Sequence, residues 1–266
     1  MNQLKSLCPS DFPLSASLFY TKANGQPRAT WDYLARDGVG EVAQLQKKQL
    51  EYGSKAMTFI IYNMVDPNEN PVNPFKGSPT AAQVMAGQNQ PDFAELARWE
   101  PLLNIGKDPH VYFIPCLFCG DDAATTNNTA FHEFFLPGAI AWLNPYSKAY
   151  LISTEASKSM NTQQMFNMVA FIKRFTDKPV GVHLQWNRKS PLAANLDFLA
   201  YETKYNPWDG ANYSVEETIA EVQDAITKCP IPLYWMEGDI YAESQLARQK
   251  ARRAKEIGCW GLPGPT

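Results

Sequence analysis

The sequence predicts an α/β fold, a single (β/α)8 barrel in which eight parallel strands alternate with helices. Along the 266 residues, eight apolar segments rich in β-forming residues alternate with segments of helical pattern. Several of the apolar segments are continuous runs, which is typical of strands buried on both faces of a parallel sheet. No strand is followed by G-x-G-x-x-G or G-x-x-x-x-G-K-[ST], the motifs typical of an open nucleotide-binding sheet. The barrel is therefore favoured over the doubly wound sheet.

The composition is that of one globular domain covering residues 1–266. Hydrophobic residues make up 45% of the chain and charged residues 19%, so a core can form without metals or disulfides. Residues 1–30 are rich in Pro, Ser and Asn, and we expect an irregular N-terminal segment there that carries the first strand.

The first half of the chain holds three predicted strands. They are SLFYT near Leu18, AMTFIIYNMVD, and HVYFIPCLFCGDD. A helix ending at Gly53 precedes the second strand, and a helix from about Pro91 to Leu103 precedes the third. Residues 67–92 are predicted to form a long excursion after the second strand.

The second half holds five more strands, in the segments KAYLISTE, PVGVHLQW, LDFLAYE, IPLYWME and CWGLP. The helix FHEFFLPGAIAWL precedes the first of these, and Pro137 predicts a kink or a break in it. Asn161 or Thr162 is available to cap the helix after KAYLISTE, and Ser214 with Glu217 forms a capping box before IPLYWME. The helix ESQLARQKARRAKEIG leads to the last strand, after which no helix is predicted.

Charge and cysteine content exclude several classes of partner. The net charge is −3, and the run QKARRAK is explained by a solvated helix face, so neither nucleic acid nor an anionic membrane is predicted as a partner. No stretch approaches the roughly 18 apolar residues of a membrane span. Five cysteines, Cys116 and Cys119 among them, predict reduced buried thiols. Without a charged and apolar leader, we expect a protein made in the cytoplasm, cytoplasmic or virion-associated.

The strand ends are where a (β/α)8 barrel places its active site. The side chains predicted there are acidic, amide-bearing and aromatic: Asn63, Asp66, Asp121, Asp122, Glu155, His183, Gln185, Trp186, Glu202, Glu237, Asp239 and Trp260. Because successive strand residues alternate between faces, Glu155 should share a face with Ser153, Glu202 with Ala200, and Glu237 with Trp235. Three glutamates could thus point into one barrel mouth.

Two opposed carboxylates meet the requirement of glycosidic cleavage, in which one protonates the leaving oxygen and the other attacks the anomeric carbon or activates water. The position of Glu155 at the end of strand four and of Glu237 at the end of strand seven resembles the retaining (β/α)8 glycoside hydrolases of the clan A type. That resemblance implies Glu155 as the acid/base and Glu237 as the nucleophile, acting on a poly- or oligosaccharide without a cofactor. Family members usually have Asn before the acid/base, where this chain has Thr154.

The same resemblance implies a set of substrate-binding residues. Trp235 or Trp260 would form a platform for a sugar ring, and Glu202, Tyr201, His183 or Gln185 would orient the sugar. Trp186 and Asn63 complete the set of predicted substrate-binding residues.

Two alternatives remain open on the sequence. A non-catalytic barrel that binds carbohydrate or serves in a larger assembly would have its glutamates paired with Lys or Arg. A metal-dependent hydrolase or lyase would need at least three acidic groups, from Asp66, Asp121, Glu155 and Glu237, to converge on Mg²⁺ or Ca²⁺. The leading hypothesis needs no metal.

Overall fold

The computed structural model describes residues 19–21, 27–29, 56–57, 61, 100–109, 111–118, 120, 126–184, 196–202, 214–228, 233–237, 249–250, 253 and 256–257. The strands are β1 (Phe19–Thr21), β2 (Pro27–Ala29), β3 (Ala56–Met57), β4 (Tyr112–Phe113), β5 (Cys116–Phe118), β6 (Tyr150–Ser153), β7 (Val180–Leu184), β8 (Phe198–Glu202) and β9 (Leu233–Glu237). The helices are α1 (Glu100–Leu103), α2 (Thr129–Leu143), α3 (Thr162–Ile172) and α4 (Val215–Lys228), with 3₁₀ turns at Asn104–Lys107 and Ala156–Lys158.

The strand order follows the order of the chain. Strands β5 to β9 form one sheet in which each strand pairs in parallel with the next, and β3 pairs in parallel with β4. The amide of Ile61 also donates to the carbonyl of Cys116 at 2.8 Å, which carries the chain after β3 alongside β5. A doubly wound sheet reverses its strand order at a switch point, whereas a barrel does not. The described strands contain no such reversal.

Strands β4 and β5 form the single predicted segment HVYFIPCLFC, which Ile114 and Pro115 interrupt. Proline has no amide hydrogen for the ladder, so regular pairing stops there. The chain nevertheless stays beside β6: the carbonyl of Phe113 accepts from Lys148 at 2.8 Å and that of Pro115 accepts from Leu151 at 3.0 Å.

One face of the sheet packs against the helices. The Phe118 ring lies 6.2 Å from Phe131 and 5.9 Å from Phe135 of α2, and the Tyr150 hydroxyl donates to the Asn144 side chain at 2.7 Å. The even-numbered residues of β7 belong to the same core. This is the helix-facing side of the sheet.

The opposite face is also buried. Leu151, Ser153, His183, Phe198 and Ala200 have no exposed surface, and none of them belongs to the core shared with the helices. Gly181 makes room on this face, because a Cβ atom there would lie 2.6 Å from the Phe198 ring. A parallel sheet with both faces buried is the arrangement that the continuous apolar runs predict.

Helices α3 and α4 begin at the capping residues that the sequence predicts. Asn161 caps α3 and forms a capping box with Gln164, and Ser214 with Glu217 forms the predicted capping box of α4. Helix α2 runs through Pro137 without a break. The cost of a proline inside a helix, about 3 kcal/mol, is offset here by the burial of several large side chains of α2 against the sheet.

The N-terminal region differs from the prediction. Residues Phe19–Thr21 are extended, but they pair in antiparallel register with Pro27–Ala29 rather than in parallel with another strand. The predicted helix ending at Gly53, the excursion over 67–92 and the eighth strand CWGLP lie outside the described residues. None of the helices in the described part of the chain is long and apolar enough to cross a membrane.

The amino ends of β6 and β7 are joined by a partly buried polar network. The Lys178 ammonium donates to the carbonyls of Asn144 and Ser147 just after α2, where the helix dipole favours a positive charge. Burial, and then the nearby Lys148, lower the pKa of Lys178. The Asn144 side chain also accepts from Thr176 at 3.0 Å. These contacts fix α2 against the sheet at the edge opposite the strand ends.

Asp197, just before β8, supplies a second tie at this edge. Its carboxylate accepts from the Val180 amide at 2.8 Å and pairs with Lys173. We expect Asp197→Ala to lower the free energy of unfolding by about 1.5–3 kcal/mol, because a charged acceptor is lost from a backbone amide. Asp197→Asn keeps an acceptor and should lose less. Urea unfolding of the three proteins measures this, and equal losses in the two variants would contradict the role of the Val180 contact.

Candidate active site

The carboxyl ends of the parallel strands bring several predicted site residues to one edge of the sheet. Glu155 follows β6 by two residues, His183 is the penultimate residue of β7, and Glu202 and Glu237 end β8 and β9. Because parallel strands point in the same direction, these four positions share an edge. The arrangement corresponds to the catalytic face of a (β/α)8 barrel.

Glu155 has an unusual backbone conformation. Its φ of 37° and ψ of 44° lie in the left-handed region, and among the described residues no other non-glycine residue has a positive φ. This conformation costs roughly 1–2 kcal/mol in a residue with a Cβ atom. Such strain persists where the surroundings impose it, and it clusters at active sites.

Gly120 and Thr154 hold the neighbouring chain segments together. The Gly120 amide donates to the Thr154 hydroxyl at 3.2 Å, and the Thr154 amide donates to the Phe118 carbonyl at 3.1 Å. A Cβ atom on residue 120 would lie 2.3 Å from the Thr154 carbonyl oxygen and 2.6 Å from that of Glu155. Thr154 therefore holds Gly120 against the backbone of Glu155.

His183 contacts the backbone of Glu155 directly. The Glu155 amide donates to Nδ1 of His183 at 3.0 Å, and the imidazole is fully buried. Burial, and then the positive charge of Lys158, lower the pKa of His183 from 6.5 to about 3. The ring is therefore neutral at neutral pH.

The side chain of Glu155 forms an ion pair with Lys158. The 3₁₀ turn Ala156–Lys158 begins directly after Glu155, and the Lys158 amide donates to the Glu155 carbonyl at 2.8 Å, which turns the lysine back towards the carboxylate. The Glu155 side chain keeps 22% of its surface exposed and that of Lys158 33%. Solvent screening makes such a pair weak, so a ligand can compete with it.

Glu237 and Glu202 lie opposite each other at the ends of β9 and β8. The ladder pairs Tyr201 with Trp235 and then Glu202 with Glu237, with a register shift between them. The prediction that Trp235 and Glu237 share a face assumed regular alternation of side chains along the strand. The register shift interrupts that alternation between these two residues. Only the backbone of these four residues is described.

The remaining predicted site residues are not located by the structure. Asn63, Gln185, Trp186 and Trp260 lie outside the described residues, as do Asp66 and Asp121 of the metal hypothesis. Within the described ranges, no group of three or more His, Cys, Asp or Glu residues could hold a metal ion.

Two residues of the site, Lys158 and Gly120, were missed by the sequence reasoning. Lys158 follows Glu155 by three residues, a spacing at which opposite charges meet in a helical turn, so the pair could have been found. Gly120 directly follows the C-x-x-C pair, and its close approach to Thr154 depends on a contact 34 residues away. No local signal predicts that contact.

Comparison with solved structures identifies similar folds. The chain superposes on a beta-glucosidase in its apo form with a TM-score of 0.56 and 12% identity, covering 96% of this chain and 87% of that one. A hyperthermophilic beta-glucosidase mutant gives 0.55 and 10%, covering 97% and 90%. A GH113 beta-1,4-mannanase gives 0.54 and 10%, covering 96% and 88%. No protein-family model matches the sequence, and the search of curated proteins found no relative.

These similar structures are (β/α)8 glycoside hydrolases of the clan A type. With identities this low, the similarity establishes the fold. The chain thus has the same α/β fold as the class of enzymes to which the positions of Glu155 and Glu237 pointed in the sequence.

The buried neutral His183 predicts a loss of stability in acid. In the unfolded chain the imidazole binds its proton near pH 6.5, whereas the folded chain does so only near pH 3. The unfolded state holds more protons between these values, so stability falls as pH drops through 6.5 and levels off below 3. The slope from this group is at most about 1.4 kcal/mol per pH unit. Urea unfolding across this range should show a shallower loss in His183→Asn, and parallel losses would contradict the prediction.

The strained backbone of Glu155 predicts an unusual order of stabilities. Alanine at this position keeps the strain of a left-handed residue with a Cβ atom, whereas glycine removes it. We expect Glu155→Gly to be more stable than Glu155→Ala by about 1 kcal/mol. Thermal unfolding of the two variants measures the difference, and an alanine variant as stable as the glycine variant would show that the conformation is unstrained.

Proposed function

We propose that this protein is a glycoside hydrolase that cleaves a poly- or oligosaccharide by double displacement, with Glu155 as the acid/base and Glu237 as the nucleophile. The observation that carries the proposal is the position of the two residues. They stand at the carboxyl edge of one parallel sheet, Glu155 just after β6 and Glu237 at the end of β9, in a fold shared with beta-glucosidases and a beta-1,4-mannanase.

The spacing of the strands supports a shared site. Strands β6 and β9 are three ladder steps apart, which corresponds to about 14 Å along the sheet. Glutamate side chains on such strands could reach towards a common substrate between them. Retention requires roughly 5–5.5 Å and inversion roughly 6.5–9.5 Å. The separation of the two carboxyl groups therefore decides between the two stereochemical outcomes.

In the proposed reaction, Glu155 donates its proton to the glycosidic oxygen while Glu237 attacks the anomeric carbon. The bond to the leaving group breaks and a glycosyl ester forms on Glu237. Glu155, now ionised, takes a proton from water, which hydrolyses the ester and restores both groups. Trp235 or Trp260 would bind the apolar face of a sugar ring, and Glu202, Tyr201 or Gln185 would orient the sugar hydroxyls.

The ion pair with Lys158 places a condition on this reaction. The first step needs the Glu155 carboxyl group at the leaving oxygen, whereas in the structure that group is paired with Lys158. Because the pair is partly exposed, a bound sugar can displace Lys158. Displacement would leave the carboxyl group against the leaving oxygen.

The same ion pair favours the second candidate, a non-catalytic barrel that binds carbohydrate or serves in an assembly. In that case Glu155 would remain paired with Lys158 when carbohydrate binds. The two candidates differ in turnover: the second predicts retention of the protein in a mannan-containing gel without hydrolysis of mannan or aryl glycosides.

We expect the wild-type protein to hydrolyse aryl β-glucosides or β-mannosides. Glu237→Gln should abolish turnover because the amide cannot form the ester intermediate. Glu155→Gln should lower kcat/KM by about 10²–10⁴-fold for a phenyl glycoside, whose leaving group needs a proton. Release of the phenol measures both effects.

Asp177→Asn is the matched control, since Asp177 is exposed just before β7, at the amino edge of the sheet. This variant should keep wild-type activity. Full activity in Glu237→Gln, with folding intact by circular dichroism, would overturn the assignment of the nucleophile.

A further inference from the structure

His183 is a fully buried imidazole at the end of β7, and its two ring nitrogens have different surroundings. Nδ1 accepts from the Glu155 amide at 3.0 Å. Nε2 is buried and has no hydrogen-bond partner among the described residues. Because Nδ1 acts as an acceptor, the proton of the neutral ring must be on Nε2.

The bond from Glu155 to His183 joins two adjacent strands at the point where regular pairing ends. The ladder between β6 and β7 pairs Tyr150 with Val180 and Leu151 with Gly181. Beyond it, an imidazole nitrogen takes the place of a backbone carbonyl as the acceptor for Glu155. The side chain of His183 thus continues the ladder to the residue that bears the carboxylate.

This contact fixes the conformation of Glu155 from one side, and its other backbone contacts fix it from the other. The Glu155 carbonyl accepts from Lys158 at 2.8 Å, and Gly120 packs against the carbonyls of Thr154 and Glu155. A left-handed residue directs its side chain differently from an extended one. Loss of the amide contact would let Glu155 relax and move its carboxyl group.

We propose that His183 is a positioning residue for Glu155, which acts through the Glu155 backbone amide and sets the direction of the acid/base carboxyl group. This inference rests on the proposed function. His183 is held away from solvent and serves catalysis without touching the substrate. Its Nδ1 must stay unprotonated, and burial in the face shared with Ser153 and Ala200 keeps it so.

Three substitutions of His183 distinguish the role of Nδ1 from that of Nε2. His183→Asn can place its oxygen near the position of Nδ1 and so keep an acceptor for Glu155. His183→Gln reaches the position of Nε2 and lacks that acceptor, and His183→Leu lacks both. The substrates are a phenyl glycoside, whose departure needs the acid, and a 2,4-dinitrophenyl glycoside, whose departure does not.

For the Gln and Leu variants we expect kcat/KM on the phenyl glycoside to fall by about 10²-fold, as for a displaced catalytic group. On the dinitrophenyl glycoside we expect little change. His183→Asn should stay near the wild type on both. The ratio of the two kcat/KM values is independent of the folded fraction, so partial unfolding of a variant does not affect it. Equal losses on the two substrates, or an Asn variant that behaves like Gln, would overturn the proposal.

Amide exchange of Glu155 gives a readout that needs no turnover. Protection of this amide should be present in the wild type and Asn variant and lost in the Gln and Leu variants, while the Leu151 amide within the ladder stays protected. Uniform protection in all four proteins would overturn the proposal. Failure of the proposed function would appear separately, as a Glu155→Gln variant without any preference for the dinitrophenyl glycoside.

Discussion

The parallel ladder from β5 to β9 is the constraint on which the rest of the structure depends. Each of these strands pairs with the next in the chain, so their carboxyl ends reach one edge of the sheet. The ladder also requires both faces to be buried, which the core shared with α2 and α3 provides on one side. The polar network of Asn144 and Lys178, which holds α2 to the sheet, therefore lies at the opposite edge from Glu155.

At the carboxyl edge, the strain at Glu155 is maintained by contacts from three directions. His183 accepts its amide hydrogen, Gly120 packs against its carbonyl, and Lys158 pairs with its carboxylate. A strained residue held by its surroundings is a feature of catalytic sites, where stability is lost in exchange for a fixed geometry. This concentration of constraints on one glutamate is the main structural support for treating it as a catalytic group.

Much of the fold followed from local pattern. The α/β class, the parallel order of the strands and the caps at Asn161 and Ser214 are confirmed, because apolar runs and capping spacings are encoded within a few residues. For the helix over FHEFFLPGAIAWL the sequence left a kink or a break open at Pro137, and the structure shows no break, since burial of a whole helix outweighs one proline. The contact between His183 and Glu155 spans 28 residues, and the register shift before Glu237 arises between two strands, so neither has a signature in the sequence.

The central claim, that Glu155 and Glu237 act as a catalytic pair, is tested most directly by trapping the glycosyl ester. In a 2,4-dinitrophenyl 2-deoxy-2-fluoro glycoside, the fluorine disfavours the positive charge of both transition states and slows both steps. The good leaving group restores the rate of ester formation only, so the ester accumulates. Gluco- and manno-configured reagents should each be tried. The account predicts one covalent adduct, mapped by mass spectrometry to Glu237. An adduct on another residue, or turnover of aryl glycosides that survives in Glu237→Gln, would contradict it.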